Sequence, residues 1–249
     1  MPHAMASAAK EILLIDAVLW SEAFSPSDPL RSAPSWFDPH VSSPGRTWMR
    51  SVSAEADLSS EPGPQVRGVI LSGSPRDAWS TDPVNTALCQ LIDRCHQRRI
   101  PLLGVCYGHQ VLGRALGAKV APHPQGWELG NVPIQLTPAG RKSLLFDSFP
   151  ETFDALQSHR DAVLELPPGC QLLATGSHTR IQSFSCDDLL FGVQFHPETR
   201  PDILRYLWGP RLERWRGNIG FDLDHRIATF QEAPQSALIL NRFVHQIAQ

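Results

Sequence analysis

The sequence contains no long apolar run and no cluster of basic residues, and these absences exclude several classes of function. None of its 249 residues belongs to a stretch approaching the length of a membrane span. The formal net charge is −3 with histidine neutral, and the Lys and Arg residues form no run. We therefore expect neither nucleic acid nor a membrane as a partner. The first ten residues lack the apolar core of a signal peptide, which predicts a cytoplasmic location.

The cysteines lack the spacing of a disulfide framework or of a zinc site. Their number is odd, and no CxxC pair or Cys/His cluster occurs among Cys89, Cys95, Cys106, Cys170 and Cys186. We expect no metal and no cofactor, and a free functional thiol is compatible with this count. All except Cys106 are interpreted as small buried hydrophobic residues.

Short apolar runs alternate with helical patterns in the first half of the chain. Ile12–Ile15, Gly68–Leu71 and Pro101–Val105 are predicted to be buried strands, and Val84–Arg98 has helical periodicity. This alternation favours an α/β fold with a mostly parallel central sheet flanked by helices, in one domain over residues 1–249. Later strands are predicted at Val132–Leu136, Gln171–Ala174, Ile181–Phe184 and Leu189–Gln194.

Two long segments fall outside this alternation. Ser21–Pro64 is rich in Pro and Ser, and it is predicted to be a variable crossover with one strand near Arg46–Val52. Asp202–Gln249 has apolar residues at helical spacing, which predicts a C-terminal helical extension.

Cys106 lies at a predicted strand-to-helix turn, with Gly104 and Gly108 two positions away on either side. This pattern is the thiol version of a nucleophile elbow, a turn so tight that a β-carbon at either glycine would collide with the neighbouring strand or helix. At a helix N-terminus the dipole and the free N–H groups favour thiolate over thiol. Cys106 is therefore the predicted nucleophile.

A cysteine nucleophile needs a base, and His196 and Glu198 have the spacing to supply one. In extended backbone, side chains two positions apart project to the same side. Glu198 would then accept the Nδ1–H of His196 and leave Nε2 to face the thiol. The backbone N–H of Tyr107 and one in the Gly73-Ser74 turn are candidate donors for an oxyanion hole.

Four motifs together resemble the class I (triad) glutamine amidotransferase family. The similarity extends from about Glu11 to the C-terminus and is greatest with free-standing members related to the glutaminase domain of GMP synthetase. It implies a flavodoxin-like fold. The motifs are Leu-Ser-Gly-Ser-Pro at 71–75, Gly-Val-Cys-Tyr-Gly-His-Gln at 104–110, Gln-Ser-His-Arg-Asp at 157–161 and Gln-Phe-His-Pro-Glu at 194–198.

The resemblance implies both a reaction and a set of site residues. Cys106 would attack the γ-carbonyl of a glutamine or γ-glutamyl group, His196 would pass a proton to the leaving amine, and water would hydrolyse the thioester. The implied triad is Cys106, His196 and Glu198, the oxyanion donors are the backbones of Ser74 and Tyr107, and the substrate contacts are Gly73, Gln110, Ser158 and His159.

The resemblance leaves the purpose of the reaction open. Many amidotransferases have Gly-Gly-Pro or Asn-Gly-Pro where this chain has Gly73-Ser74-Pro75, and its Ser-Gly-Ser turn is similar to that of γ-glutamyl peptidases. Nothing resembles a synthetase domain. Three hypotheses follow. The first is a glutaminase that supplies ammonia to a separate synthetase or biosynthetic enzyme. The second is a γ-glutamyl peptidase acting on glutathione-like conjugates or a γ-glutamylated metabolite without ammonia transfer, and the third is a non-catalytic binding domain.

Other polar and aromatic residues near the motifs have weaker interpretations. His109 is expected to pack within the elbow helix, and Glu128 to hold a loop in place. Trp79, Tyr107 and Trp127 are candidates for the wall of an apolar leaving-group pocket, because they lie close to motif residues in sequence.

Overall fold

A nine-stranded sheet is central to the computed structural model, which describes residues 10–42 and 47–249. The expectations for the first nine residues and for Arg46 fall outside the described residues. The strands are β1 Lys10–Asp16, β2 Thr47–Ser53, β3 Val66–Leu71, β4 Leu102–Val105, β5 Val120–Pro122, β6 Glu128–Leu136, β7 Thr152–His159, β8 Asp161–Val163, β9 Gln171–Thr175, β10 Ser183–Cys186 and β11 Leu190–Val193. The α-helices are α1 Ala33–Val41, α2 Pro83–Gln97, α3 Tyr107–Ala115, α4 Pro201–Trp208, α5 Leu212–Trp215, α6 Leu223–Ala228 and α7 Pro234–Arg242.

The central sheet is mixed, with one parallel half and one antiparallel half. Its order is β2-β1-β3-β4-β11-β10-β9-β6-β7, and β5 pairs with β8 separately. The pairs from β2 to β11 are parallel, and those from β11 to β7 are antiparallel. The predicted α/β fold is confirmed, and the pairing refines the expectation of a mostly parallel sheet. Short connections such as the turn between β10 and β11 impose antiparallel neighbours, whereas the parallel pairs need long crossovers.

Both faces of the parallel half are covered by helices, which explains its continuous apolar runs. Successive residues of β1 alternate between two cores: Ile12 and Leu14 belong to one, and Leu13 and Ile15 to the other. The first core includes residues of α1 and α7, and the second includes residues of α2 and α3. A strand buried on both faces needs apolar side chains at every position, and this pattern made β1, β3 and β4 predictable.

The crossover contains a helix that the sequence analysis did not predict. Helix α1 begins with Pro34 in its first turn and contains Pro39 in its interior. Its buried face includes Trp36, Phe37 and Val41. Proline is tolerated in the first turn of a helix but weakens the interior, so two prolines in nine residues concealed a helix that tertiary packing stabilises.

The chain after Pro201 forms a series of short helices, and its last residues pack on the sheet. A β-carbon at Gly68 of β3 would lie 2.6 Å from Cβ of Ala248. Strand β7, which carries Ser158 and His159, was missed although Phe153 and Ala155 alternate with polar neighbours in it. Within residues 10–42 and 47–249, no helix has both the length and the apolar character needed to cross a membrane.

Candidate active site

Cys106 is the single residue that connects β4 to α3, and its backbone conformation is strained. Its φ is 51° and its ψ is −102°. A positive φ is uncommon for a residue with a β-carbon and costs free energy, so surrounding contacts must hold it. The Cys106 N–H donates to the Val193 carbonyl at 2.9 Å, and the Cys106 carbonyl accepts from the Gln110 N–H at 3.0 Å. These bonds fix the thiol at the N-terminus of α3.

The two flanking glycines make this turn possible. A β-carbon at Gly104 would lie 2.5 Å from the carbonyl carbon and oxygen of Gly108. A β-carbon at Gly108 would lie 2.4 Å from the Leu71 carbonyl oxygen. Both distances are far below van der Waals contact, so the predicted need for glycine at both positions is confirmed.

His196 and Glu198 meet through their side chains beyond the end of β11. His196 Nδ1 lies 2.8 Å from Oε1 of Glu198, and both residues are buried. The backbone between them is a turn, with the Thr199 N–H 3.5 Å from the His196 carbonyl, so the expectation of extended backbone was wrong. The side chains nevertheless converge. Nε2 of His196 has no hydrogen-bond partner among the described residues.

The charges around His196 favour its protonated form. Burial by itself would lower the pKa of His196, but the Glu198 carboxylate and the sulfur of Cys106 raise it well above its ordinary 6.5. An imidazolium beside the sulfur stabilises the thiolate and is ready to donate a proton.

The turn after β3 lies directly against these residues. A β-carbon at Gly73 would lie 3.1 Å from Cε1 of His196 and 3.7 Å from Cβ of Cys106. The Ser74 hydroxyl accepts the Arg76 N–H at 3.1 Å. The backbone N–H groups of Ser74 and Tyr107 donate to no other group in the described part of the chain. Both remain available to an oxyanion.

A cavity of about 740 Å³ opens above the thiol and gathers nearly all of the predicted site residues. Tyr107, predicted only through its backbone, is the exception. The cavity is lined by Gly73, Ser74, Cys106, Gln110, Ser158, His159, His196 and Glu198, together with residues discussed below.

Two of the predicted substrate contacts are held by long-range hydrogen bonds. Gln110 donates from Nε2 to the Asp161 carbonyl at 2.7 Å, which ties α3 to β8. The Ser158 hydroxyl accepts the indole N–H of Trp208 at 2.9 Å. The bond to Trp208 links the end of β7 to α4.

The ring of His159 is engaged on both sides, so it faces the protein more than the cavity. Its Nε2 lies 2.9 Å from Oε2 of Glu128, and its Nδ1 lies 3.0 Å from the Asp161 carbonyl. Glu128 also accepts from Nε2 of Gln182 at 2.9 Å. Burial tends to raise the pKa of Glu128, but the bond to His159 brings it below its ordinary value. Glu128 is not among the residues that line the cavity, and its carboxylate joins the end of β7 to Gln182, just before β10.

His109 is a packing residue in this geometry. Its ring lies 4.9 Å from that of Phe184, and a β-carbon at Gly192 would approach its Nδ1 to 2.5 Å. Burial lowers the pKa of His109 to about 3, so the ring is neutral at physiological pH.

Two of the three predicted wall aromatics lie elsewhere. The Tyr107 hydroxyl points into the core and donates to Oδ1 of Asn85 at 2.6 Å. Trp79 is exposed and donates its indole N–H to Oδ2 of Asp161 at 2.8 Å. Only Trp127 lines the cavity. Nearness in sequence failed here because the turn after β3 and the start of α3 direct these two side chains away.

The outer wall of the cavity comes from segments that the sequence analysis did not assign in detail. They are parts of the 18–24, 36–37 and 204–215 segments. Most of these side chains are apolar, including Trp36, Leu207 and Trp215. In the part of the chain that the structure describes, no group of three or more His, Cys, Asp or Glu residues is arranged to hold a metal ion.

Arg211 is a charged residue of this wall, close enough to Cys106 for the charge of that residue to influence it. It makes no hydrogen bond or ion pair with any described residue, whereas Arg76 is paired with Asp82. Burial lowers the pKa of Arg211, and the charge of Cys106 partly offsets that effect. A partly buried guanidinium without a partner is costly unless a ligand supplies an anion.

Comparison with known proteins agrees with this geometry. Residues 48–204 match the family Glutamine amidotransferase class-I. A 139-residue stretch is 34% identical to γ-glutamyl peptidase 4 of Arabidopsis thaliana and covers 55% of either chain. Another 139-residue alignment is 33% identical to a glutamine-hydrolysing GMP synthase chain of Methanococcus vannielii, covering 55% of this chain and 67% of that one. The chain thus spans about half the length of the peptidase that it matches.

The fold also has solved counterparts. A glutamine amidotransferase from Thermotoga maritima superposes with a TM-score of 0.75 at 20% identity, over 96% of this chain and 98% of that one. At this identity the likeness concerns the fold alone.

Proposed function

The chain belongs to the class I glutamine amidotransferase family, and we propose that it hydrolyses a γ-glutamyl amide bond through a thioester on Cys106. The observation that carries the proposal is the convergence of three features at one cavity. They are a thiol on a strained helix N-terminus, a His–carboxylate pair beside it and two free backbone donors.

The first half of the reaction is acylation. The thiolate of Cys106 attacks the γ-carbonyl carbon, and the negative charge that develops on the carbonyl oxygen is stabilised by the N–H groups of Ser74 and Tyr107. His196 donates its proton from Nε2 to the leaving nitrogen as the C–N bond breaks. Glu198, 2.8 Å from Nδ1, keeps the ring oriented and stabilises its positive charge.

The second half is deacylation. The leaving amine departs, and a water molecule takes its place beside the now neutral Nε2 of His196. The imidazole removes a proton from this water as it attacks the thioester, which releases glutamate and restores the thiolate. Gly73, Gln110, Ser158 and His159 line the same cavity as the thiol, where they would hold the glutamyl group.

The leaving group separates two candidate functions. Glutaminases of this family release ammonia for a second enzyme, and the relative from Methanococcus vannielii belongs to a GMP synthase. Peptidases release an amino acid or peptide instead. Two features of this cavity favour the peptidase reaction, and the first is its size. Pockets of roughly 300–1,000 Å³ accommodate drug-sized ligands, so about 740 Å³ leaves room beyond a primary amide.

Arg211 is the second feature that favours a large leaving group. The glutamyl group brings one α-carboxylate in every substrate, and a glutathione-like substrate brings a second carboxylate on its leaving group, which would pair with this guanidinium. We therefore favour a γ-glutamyl peptidase acting on glutathione-like compounds. Glutamine hydrolysis coupled to a separate synthetase is the alternative.

One assay separates the candidates. Purified protein is incubated with glutamine, with glutathione and with a glutathione S-conjugate, and the released glutamate is measured beside a Cys106→Ala control. Glutamate from the two glutathione compounds at much higher kcat/KM than from glutamine supports the peptidase. Turnover of glutamine alone, increasing with an added synthetase, supports the glutaminase. No turnover and no thioester by mass spectrometry would leave only a non-catalytic binding domain.

A further inference from the structure

Two cysteines outside the active site lie at the same end of neighbouring strands, Cys186 as the last residue of β10 and Cys170 directly before β9. Ser185 of β10 is aligned with Gln171 of β9 in antiparallel register. The next position outward places Cys186 opposite Cys170. Opposed residues in antiparallel strands have Cα atoms about 4.5 or 5.5 Å apart, and disulfides span roughly 4.4–6.8 Å between Cα atoms. Continued by one residue, this register brings the two cysteines to a separation that a disulfide can span.

The two side chains also pack in the same apolar cluster. Cys186 belongs to the buried part of that cluster and Cys170 packs against it, with the Cys170 sulfur 3.8 Å from the Pro168 carbonyl oxygen. Cys170 is half-buried, so a small reagent can reach it, while Cys186 is buried. The remaining thiols, Cys89 and Cys95 on α2 and Cys106 on the elbow, have no such partner among the described residues.

We propose that Cys170 and Cys186 are a redox modification site, which closes to a disulfide with hydrogen peroxide as the oxidant and reopens with a thiol reductant. The thiolate of Cys170 attacks one peroxide oxygen, the O–O bond breaks, and the departing hydroxide takes up a proton to leave as water. Cys186 gives up its proton and attacks the sulfur of the resulting sulfenic acid. The S–O bond breaks, and a second water leaves with that proton. Two thiols are oxidised by two electrons, and one peroxide is reduced to two waters.

The surroundings of this pair predict that it reacts more slowly than the catalytic thiol. Burial, the neighbouring thiol and the charge of Asp187 raise the pKa of Cys170 to about 12. Asp187 is itself 2.9 Å from Nε2 of His96 on α2. Because the thiolate is the attacking species, disulfide formation should accelerate about tenfold for each pH unit between 7 and 9.

The position of the pair predicts an effect on stability and not on turnover. Cys186 is aligned with Leu190, the first residue of β11, whereas the active site lies beyond the other end of that strand. A disulfide from 170 to 186 would close a short loop and restrict the unfolded chain. We expect oxidation to raise the Tm by roughly 5–10 °C, because a disulfide that closes a short loop reduces the conformational entropy of the unfolded chain.

The test is peptide mapping of the full chain after treatment with hydrogen peroxide. Free thiols are alkylated, and trypsin then separates the two cysteines into peptides 161–180 and 181–205, because the Arg200-Pro201 bond resists cleavage. We expect a linked peptide pair that is two hydrogens lighter than the sum of its parts and that disappears with dithiothreitol.

Matched variants decide the assignment. The linked pair and the rise in Tm should be absent from Cys170→Ser and Cys186→Ser and present in Cys89→Ser, which alters another half-buried thiol. The wild-type map stands even if one variant fails to fold. The proposal is overturned if wild type yields only separate peptides carrying sulfinic acid, or if Cys170 is linked to a different cysteine.

Discussion

The inner and outer sides of the cavity are built in different ways. The inner side consists of strand ends and the elbow, where backbone groups approach so closely that only glycine fits at 104 and 108. The outer side consists of long side chains from the crossover and from the segment after α4, among them Trp36, Trp215 and Arg211. The inner side can tolerate little change and suits a fixed bond-breaking step. The outer side can vary without disturbing the sheet and suits selection of the leaving group.

The most severe way to break the inner side is to remove the thiol or its proton donor. We expect Cys106→Ala and His196→Ala each to lower kcat by about 10³–10⁶, the scale seen when members of a catalytic triad are deleted. Glutamate release by wild type and both variants measures this effect, with circular dichroism to verify folding. Equal activity in wild type and Cys106→Ala would refute the proposed nucleophile.

Adding one methyl group should also disrupt the inner side, by a different route. Gly108→Ala would place a β-carbon 2.4 Å from the Leu71 carbonyl oxygen, so β3 or α3 must move. We expect a loss of about 1–3 kcal/mol or more in the free energy of unfolding, as for other overpacked sites, together with loss of activity. Urea denaturation measures the stability.

Gly209 offers the control for this substitution. A β-carbon there meets nothing within 4 Å, and its backbone is helical. Gly209→Ala should therefore leave stability unchanged or slightly increased, because alanine favours helix. If both substitutions lowered the free energy of unfolding equally, the close packing at the elbow would not be the reason that position 108 requires glycine.

Glu198 tests the electrostatic part of the inner side, and its loss should be milder. In Glu198→Gln the amide oxygen can still accept the Nδ1–H of His196, but the charge that raises the pKa of this histidine is gone. In triads the orienting carboxylate contributes about 100-fold less to kcat than the nucleophile does.

The pH dependence of kcat/KM tests the effect of Glu198 on the pKa of His196 and has an expected direction. In the proposed mechanism protonated His196 supplies the proton to the leaving amine, so the rate should fall as pH rises through its pKa. Removing the Glu198 carboxylate lowers that pKa, and the alkaline limb of kcat/KM should move to lower pH. An unchanged limb would mean that another group sets it.

These two sides also differ in how far the sequence could predict them. The conformation of Cys106 depends on its flanking glycines, and the orientation of His196 depends on Glu198. These partners lie only a few positions away in sequence, so local motifs were sufficient to predict both groupings. The turn between His196 and Glu198 shows the limit of that logic, because the predicted contact formed through a different backbone conformation. The antiparallel half of the sheet was only partly visible, since β7 was missed and β6 begins earlier than predicted.

The outer side depends on long-range packing, which local patterns do not encode. Arg211 reaches the cavity only because the chain after α4 folds back over the strand ends, and no motif marks it. Trp79 and Tyr107 were chosen for their nearness in sequence to motif residues, and hydrogen bonds to Asp161 and Asn85 direct them elsewhere. Side-chain direction at a turn is fixed by partners that are distant in sequence.

The smallest predicted effect concerns Arg211 and sharpens the role of the outer side. If its guanidinium binds a carboxylate on the leaving group, Arg211→Gln should raise KM for glutathione about 10-fold or more. A hydrogen bond to a charged group contributes roughly 1.5–3 kcal/mol. Glutathione with its glycine carboxylate converted to an amide should show little difference between wild type and variant. Arg216→Gln is the matched control, since Arg216 is exposed, pairs with Asp224 at 2.8 Å and does not line the cavity. An equal rise in KM for both forms of glutathione would place the partner of Arg211 on the glutamyl group, which the two forms share. The outer side would then contribute to the binding of every substrate and would not select among leaving groups.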